Sequence, residues 1–105
     1  MFLQPKRIVF NSILKKYKLA DIKPTQINNN EELINQLKID IKQNGLLCPL
    51  VINNNILIDG HHRYEAIKDF CTETLVYVVN NKDMEKLLSK LNSYIWFDYL
   101  GKLDG

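Results

Sequence analysis

Two short apolar runs on either side of an asparagine triplet constrain the fold of this chain more than any other feature. The runs are "CPLVI" (48–52) and "ILIDG" (56–60), and both are rich in residues that favour strands. Asn53–Asn55 between them have the chemistry of a tight reversal, so the stretch predicts a β-hairpin. The second run passes at once into "HHRYEAIKDF", which predicts a helix from Gly60 to about Phe70.

The residues before the hairpin predict an amphipathic helix. In "NNNEELINQLKIDIKQNG", Asn29 is placed to cap the helix and Glu32 to complete a capping box. Gly45 supplies the residue of positive φ that ends it. The inward stripe of this helix comprises Leu33, Leu37 and Ile41.

The two ends of the chain predict further elements. Pro5 to Tyr17 has helical spacing of its apolar residues, and a strand over Arg7 to Phe10 is the competing interpretation. "YKLADI" predicts a short strand that "KPT" ends, and "TLVYVV" predicts a buried one. A final helix is expected over 82–100, and residues 1–105 are expected to form a single domain.

Composition excludes some classes of protein. Hydrophobic residues make up 46% of the 105 residues and charged residues 25%, as in an ordinary globular protein. The net charge of +2 is too small to indicate nucleic acid by itself. With no apolar run near the roughly 20 residues of a membrane span and no signal pattern, we expect a cytoplasmic protein without membrane contact. In a reducing compartment Cys48 and Cys71 are expected to be buried thiols.

The segment "DGHHR" carries the chemistry that stands out in this sequence. A strand that ends in Asp59 and Gly60 and leads into a helix leaves backbone N–H groups available to a phosphate or carboxylate. His61, His62 and Arg63 would add donors and charge there. The alternative is a turn in which Asp59 caps the helix and Arg63 and His61 are solvated, and the residues alone leave the two nearly even.

A dedicated metal site is not expected. Adjacent histidines on a helix diverge by about 100°, and no third ligand stands at metal-binding spacing. Asp59 could still help to hold a Mg²⁺ ion that arrives with a nucleotide.

The order of motifs over residues 17–80 resembles the ParB/sulfiredoxin superfamily. The residues that carry the resemblance are "LADIKPTQ", "KQNGLLCPLVI", "ILIDGHHRYEAIKDF" and "TETLVYVV". "GHHRYEA" is similar to the sulfiredoxin segment, and "DGHHR" to that of the free serine kinases. The resemblance implies a small α+β domain with a short mixed sheet flanked by helices.

The resemblance also implies a site and a range of activities. Gly60, His61, His62 and Arg63 would bind the phosphates of ATP or ADP, or of CTP, with Mg²⁺. Thr25, Gln26, Pro49 and Tyr64 would line the substrate or nucleotide pocket, and the catalytic candidates are Asp59, His61, His62 and Glu32. Superfamily members reduce sulfinic acids, phosphorylate free serine, or gate DNA binding by nucleotide; others are nucleases.

Departures from the family pattern narrow these activities. His61 stands where sulfiredoxins have their reactive cysteine, so thiol chemistry is excluded. Gln26 stands where the serine kinases have a glutamate base, and an amide offers no basicity. The expected function is a nucleotide-dependent phosphotransferase or hydrolase acting on a small molecule, and the alternative is a non-enzymatic DNA-binding or regulatory module. A ParB-like nuclease ranks last, because no acidic metal cluster is evident.

Two surfaces are candidates for partners. Trp96, Phe97 and Tyr99 predict a homodimer or partner contact, since exposed aromatic patches mark interfaces. Basic residues near the start of the chain could contact nucleic acid without sequence preference. They are Lys6, Arg7, Lys15, Lys16, Lys18 and Lys23.

Overall fold

The computed structural model describes residues 1–25, 30–82, 86 and 89. It confirms a small α+β fold with a mixed sheet and two helices. The strands are β1 (Phe2–Leu3), β2 (Leu14–Lys18), β3 (Leu50–Asn53), β4 (Ile56–Asp59) and β5 (Glu73–Val78), and the helices are α1 (Glu31–Asn44) and α2 (His61–Ile67). Short 3₁₀ turns cover Asn11–Ile13 and Leu19–Asp21. The helix expected over 82–100 lies almost wholly outside the described residues.

Strand β5 organises the sheet. It pairs antiparallel with β2 along one edge, and its other edge pairs in parallel with β1 and then with β3. Antiparallel pairing of β3 with β4 continues the sheet, and Lys23 bridges in parallel to Ile56 beyond β4. The segment after β2 therefore crosses to the opposite edge of the sheet, where it lies next to β4.

The predicted hairpin is present. Its turn residues Asn54 and Asn55 have φ values of 51° and 68°, the two positive values that a two-residue type I′ turn requires. Asparagine tolerates this conformation better than most residues because its short polar side chain bonds locally. The pairing shifts by a bulge between Val51 and Ile52, just before the hairpin turns.

The sheet separates two apolar clusters. On one side, Leu50, Ile52 and Val76 pack with residues of α1 and α2. On the other, Val51 and Tyr77 pack with Cys48, Val79 and partly buried residues of the segment between β1 and β2. Alternate residues of a strand face opposite sides, so β2, β3, β4 and β5 each contribute to both clusters.

The predicted helix over Pro5 to Tyr17 is wrong, and so is the competing strand over Arg7 to Phe10. The backbone instead runs irregularly to the 3₁₀ turn, and β2 follows over Leu14–Lys18. Long-range contacts decide the conformation: the Tyr77 hydroxyl accepts from the Val9 N–H at 2.7 Å. The strand predicted as "YKLADI" is present only through Lys18, because Leu19–Asp21 turn.

The predicted start of α1 is displaced by one residue. Asn30 caps it, and its side-chain oxygen accepts from the Leu33 N–H at 3.1 Å. With the cap at Asn30, the residue three positions on is Leu33, so the capping box predicted for Asn29 and Glu32 is wrong. Gly45 does follow the helix with a φ of +85°.

Helix α2 is shorter than predicted. It ends at Ile67 instead of Phe70, and a turn leads to β5. None of the helices in the described part of the chain is long and apolar enough to cross a membrane.

Candidate functional site

Gly60 joins β4 to α2 in a left-handed conformation, with φ of 95° and ψ of 32°. A Cβ atom at this position would lie 2.7 Å from Leu50 Cδ2 and 3.0 Å from Arg63 Nη2. Both the backbone conformation and the space around it therefore require glycine. The turn directs the chain from the sheet into α2, so the first residues of the helix, His61 and His62, follow the strand end without a loop.

Arg63 lies beneath this turn and not on the protein surface. It is 1% exposed, and its Nη1 donates to the carbonyl oxygens of Cys48 at 3.0 Å and Pro49 at 3.3 Å. Its Nη2 lies 3.6 Å from Asp59 Oδ2. The guanidinium thus ties the start of α2 to the end of β4 and to the residues that precede β3.

His61 connects the same helix start to the segment beside β4. The imidazole is 5% exposed, and its Nε2 lies 3.0 Å from the Thr25 hydroxyl. The same hydroxyl lies 3.3 Å from the Leu57 carbonyl and donates to it. The Lys23 N–H donates to the Asn55 carbonyl, and the Lys23 carbonyl accepts from the Leu57 N–H. These two backbone hydrogen bonds hold the segment in place.

Among the predicted site residues, the structure brings Thr25, Asp59, Gly60, His61 and Arg63 together. His62 is half-buried in the first turn of α2. Gln26, the residue after Thr25, lies outside the described residues. The ligand-binding roles of these residues stay predictions.

Three other predicted residues have separate positions. Glu32 is exposed in the first turn of α1. Pro49 is buried, and its carbonyl oxygen accepts a hydrogen bond from Arg63 Nη1. Tyr64 lines a cleft of about 430 Å³ between α2 and the turn after β2, together with Leu19 and Lys68.

Two cysteines are present as free, buried thiols, as predicted. Burial raises the pKa of the Cys48 thiol, although the Arg63 and Arg7 guanidinium groups lower it in part. Burial likewise raises the pKa of Cys71, whose Sγ donates to the Glu73 carbonyl at 3.1 Å. Both thiols are therefore held in the neutral, weakly nucleophilic form.

Sequence reasoning missed two neighbours of the site. The Cys48 carbonyl accepts from Arg63, and Leu50 packs where a Gly60 side chain would stand. Both contacts are between residues ten or more positions apart, and no local pattern indicates them.

The lysines of β2 form a separate basic surface. Lys15, Lys16 and Lys18 are exposed, as is Lys23 after the turn. A second cleft of about 540 Å³ is lined by Lys16, Lys18 and Lys23 with Tyr17 and Asn55. Asp21 and Glu73 also line it, so the surface is only moderately basic.

Two further predictions concern a metal site and an aromatic interface. In the part of the chain that the structure describes, no three His, Cys, Asp or Glu side chains group as metal ligands would. The aromatic residues Trp96, Phe97 and Tyr99 lie outside the described residues, so the predicted interface there stays a prediction.

Comparisons with known proteins identify the fold. No protein-family model matches this sequence, and no curated protein matches it. Among solved structures it is similar to a Pnob8-like ParB-N domain in its C2221 crystal form, with a TM-score of 0.54 and 18% identity. The match covers 80% of this chain and 36% of that chain, so this chain spans about a third of the solved one. The chain therefore has a ParB-like fold, as the sequence motifs indicate.

Proposed function

We propose that this chain is a ParB-like nucleotide-binding domain that holds the phosphates of a nucleotide at Gly60–His62. The observation that carries the proposal is the left-handed Gly60 between a strand end and a helix start, with Thr25 brought beside His61. In open α/β sheets, ligands bind beyond the carboxyl ends of strands, and this turn lies at the carboxyl end of β4. The resemblance to the superfamily supports the same position.

The ligand class follows from the groups at the turn. Backbone N–H groups at a helix start attract anions, although α2 is short and its dipole is correspondingly small. His62 is half-buried and can donate to a phosphate oxygen. Thr25 is exposed beside the turn. A nucleotide that carries Mg²⁺ would reduce the charge that the protein itself must compensate, and the carboxylate of Asp59 directly precedes the turn.

Phosphoryl transfer or hydrolysis is the reaction class we propose for this site. Such reactions rest chiefly on positioning and on stabilisation of charge, which a rigid turn supplies. His61 and His62 are the groups able to move a proton near neutral pH, and Glu32 is a more distant carboxylate candidate. The acceptor would be water or a small molecule with a hydroxyl group.

Calorimetry tests the binding site directly. ATP, ADP and CTP are titrated into the protein with and without Mg²⁺, and His62→Ala is compared with Asp69→Asn, an exposed site beyond the far end of α2. We expect wild-type protein and the control to bind equally, and the His62 variant to bind about tenfold more weakly, the loss of one charge-assisted hydrogen bond. No heat with wild-type protein, or unchanged binding by His62→Ala, overturns the proposed site.

A phosphorus NMR time course tests the reaction class in the same samples. Release of inorganic phosphate from ATP indicates hydrolysis, and a new phosphomonoester signal after addition of free serine indicates transfer. If nucleotide binds and neither signal grows, the domain is a binding module and the phosphotransferase proposal is wrong.

The exposed lysines of β2 favour a second candidate function, nonspecific nucleic-acid binding without catalysis. Lys16 and Lys18 lie on one face of β2 and line one cleft with Lys23, and Lys15 is exposed on the other face of the strand. A gel shift on random-sequence DNA at low salt tests it, with Lys15→Gln/Lys18→Gln against Lys42→Gln on α1. Each lost phosphate contact should reduce the salt-dependence slope by about 0.9. Equal binding by both variants, or none at low salt, removes this candidate.

A further inference from the structure

The Arg63 side chain faces the protein interior, although its sequence position in the first turn of α2 suggests a ligand contact. Its Nη1 is directed at the carbonyl oxygens of Cys48 and Pro49, and its Nη2 at the Asp59 carboxylate. A Cβ atom added to Gly60 would point into the core beside Leu50. It would lie 3.0 Å from Arg63 Nη2. The guanidinium therefore supports the turn from inside.

We infer that Arg63 is a positioning residue that fixes the Gly60–His62 backbone, and that it does not itself bind the phosphates. This inference rests on the proposed function for what the turn binds. It departs from the role that the resemblance implies for this arginine. The phosphate contacts are then left to backbone N–H groups and to His62.

Burial explains why the guanidinium stays where it is. A desolvated cation is costly unless its donors are satisfied, and breaking a buried ion pair is strongly destabilising because the other charge is left uncompensated. Because Arg63 is 1% exposed, a phosphate oxygen could reach Nη1 only if the hydrogen bonds to Cys48 and Pro49 opened. Ligand binding would have to offset the free energy lost with those bonds, so Arg63 keeps its contacts within the protein.

The fork shape of the side chain explains why the position needs arginine. One planar group reaches two successive carbonyl oxygens on one side and a carboxylate on the other, in three directions that a lysine ammonium on a flexible stem cannot hold together. Asp59, four residues earlier, and Arg63 also bracket Gly60 and the two histidines. A shift of the guanidinium would therefore alter the backbone conformation of residues 60–62.

Amide hydrogen exchange in nucleotide-free protein tests the positioning role without any ligand. Arg63→Lys keeps the charge, and Lys68→Arg, an exposed change at the end of the same helix, is the control. The Tyr64 N–H donates to the Gly60 carbonyl at 2.8 Å and reports on the turn. We expect exchange at this amide to rise about tenfold in Arg63→Lys, with α1 and β5 unchanged and the control like wild type. Unchanged exchange at the Tyr64 amide overturns the inference.

Asp59→Asn provides the second variant if Arg63→Lys does not fold. It keeps the side-chain shape and removes the charge opposite Nη2. We expect a smaller rise, about threefold, at the same Tyr64 amide. A change spread evenly over the whole molecule would indicate general destabilisation and would overturn the positioning role.

Titration with ATP, ADP and AMP separates positioning from direct contact. If Arg63 positions the turn, Arg63→Lys weakens ATP and ADP binding by the same factor and leaves the salt dependence unchanged. If Arg63 contacts a terminal phosphate, Arg63→Lys loses the bidentate contact and ATP loses more affinity than AMP, which overturns the inference. Failure of wild-type protein to bind any nucleotide would refute the proposed function, whereas the exchange result would still decide the role of Arg63 in shaping the turn.

Discussion

Substitution of Gly60 by alanine should be the most destabilising single-methyl change in this site. An L-residue in the left-handed region costs roughly 1–2 kcal/mol. The added Cβ would also stand 2.7 Å from Leu50 Cδ2, a contact that real Cβ atoms do not make, and Leu50 is fully buried. Overpacking of a filled core costs about 1–3 kcal/mol. The sum is about 2–5 kcal/mol, a large part of the roughly 5–15 kcal/mol by which a domain is stable.

A double-mutant cycle separates the two contributions to this cost. Leu50→Val removes the δ carbons, so Gly60→Ala in that background should lose mainly the backbone contribution, about 1–2 kcal/mol. The free energy of unfolding is measured by urea denaturation for wild type, both single variants and the double variant. A coupling of about 1–3 kcal/mol is expected. If Gly60→Ala costs the same in both backgrounds, the contact with Leu50 does not explain the need for glycine.

Three further predictions follow from single contacts. Thr25→Val removes the hydroxyl that lies 3.0 Å from His61 Nε2, so the free energy of unfolding measured with urea should fall by about 1 kcal/mol. Tyr77→Phe leaves the Val9 N–H without its acceptor and should lower the free energy of unfolding by about 1–3 kcal/mol in the same assay. A change below about 0.5 kcal/mol would contradict the importance of this hydrogen bond. Cys48 and Cys71, whose pKa values burial raises, should react with iodoacetamide at pH 8 far more slowly in folded than in urea-unfolded protein, and equal rates would contradict their burial.

Much of the fold can be predicted where local signals and tertiary contacts agree. The spacing of Leu33, Leu37 and Ile41 predicts α1, and Leu37 and Ile41 are buried. The asparagine turn predicts the hairpin because both signals act within a few residues. The cap is wrong by one position because Asn29 and Asn30 are the same residue type, and sequence alone does not choose between them.

The remaining part of the fold depends on distant partners. Phe10, Ile13, Leu14 and Tyr17 have helical spacing, yet Leu14 pairs with Tyr77 in the sheet. That pairing joins positions far apart in the chain, and strand formation there overrides the local helical pattern. Sequence likewise predicts that "DGHHR" joins a strand to a helix, but not that Arg63 turns inward, because its carbonyl partners come from the segment before β3.

The pairing of β5 with three strands has a consequence for synthesis of the protein. Strands β1 and β2 lie within the first 18 residues, and both pair with β5, which begins at Glu73. At about 5–20 residues per second, a ribosome needs roughly 3–11 s to extend the chain from Lys18 to Glu73. During that interval β2 has no native neighbour and is exposed to other chains. Three lysines among its five residues disfavour pairing with a foreign strand, so this basic strand protects the nascent chain while its native partner is still being made.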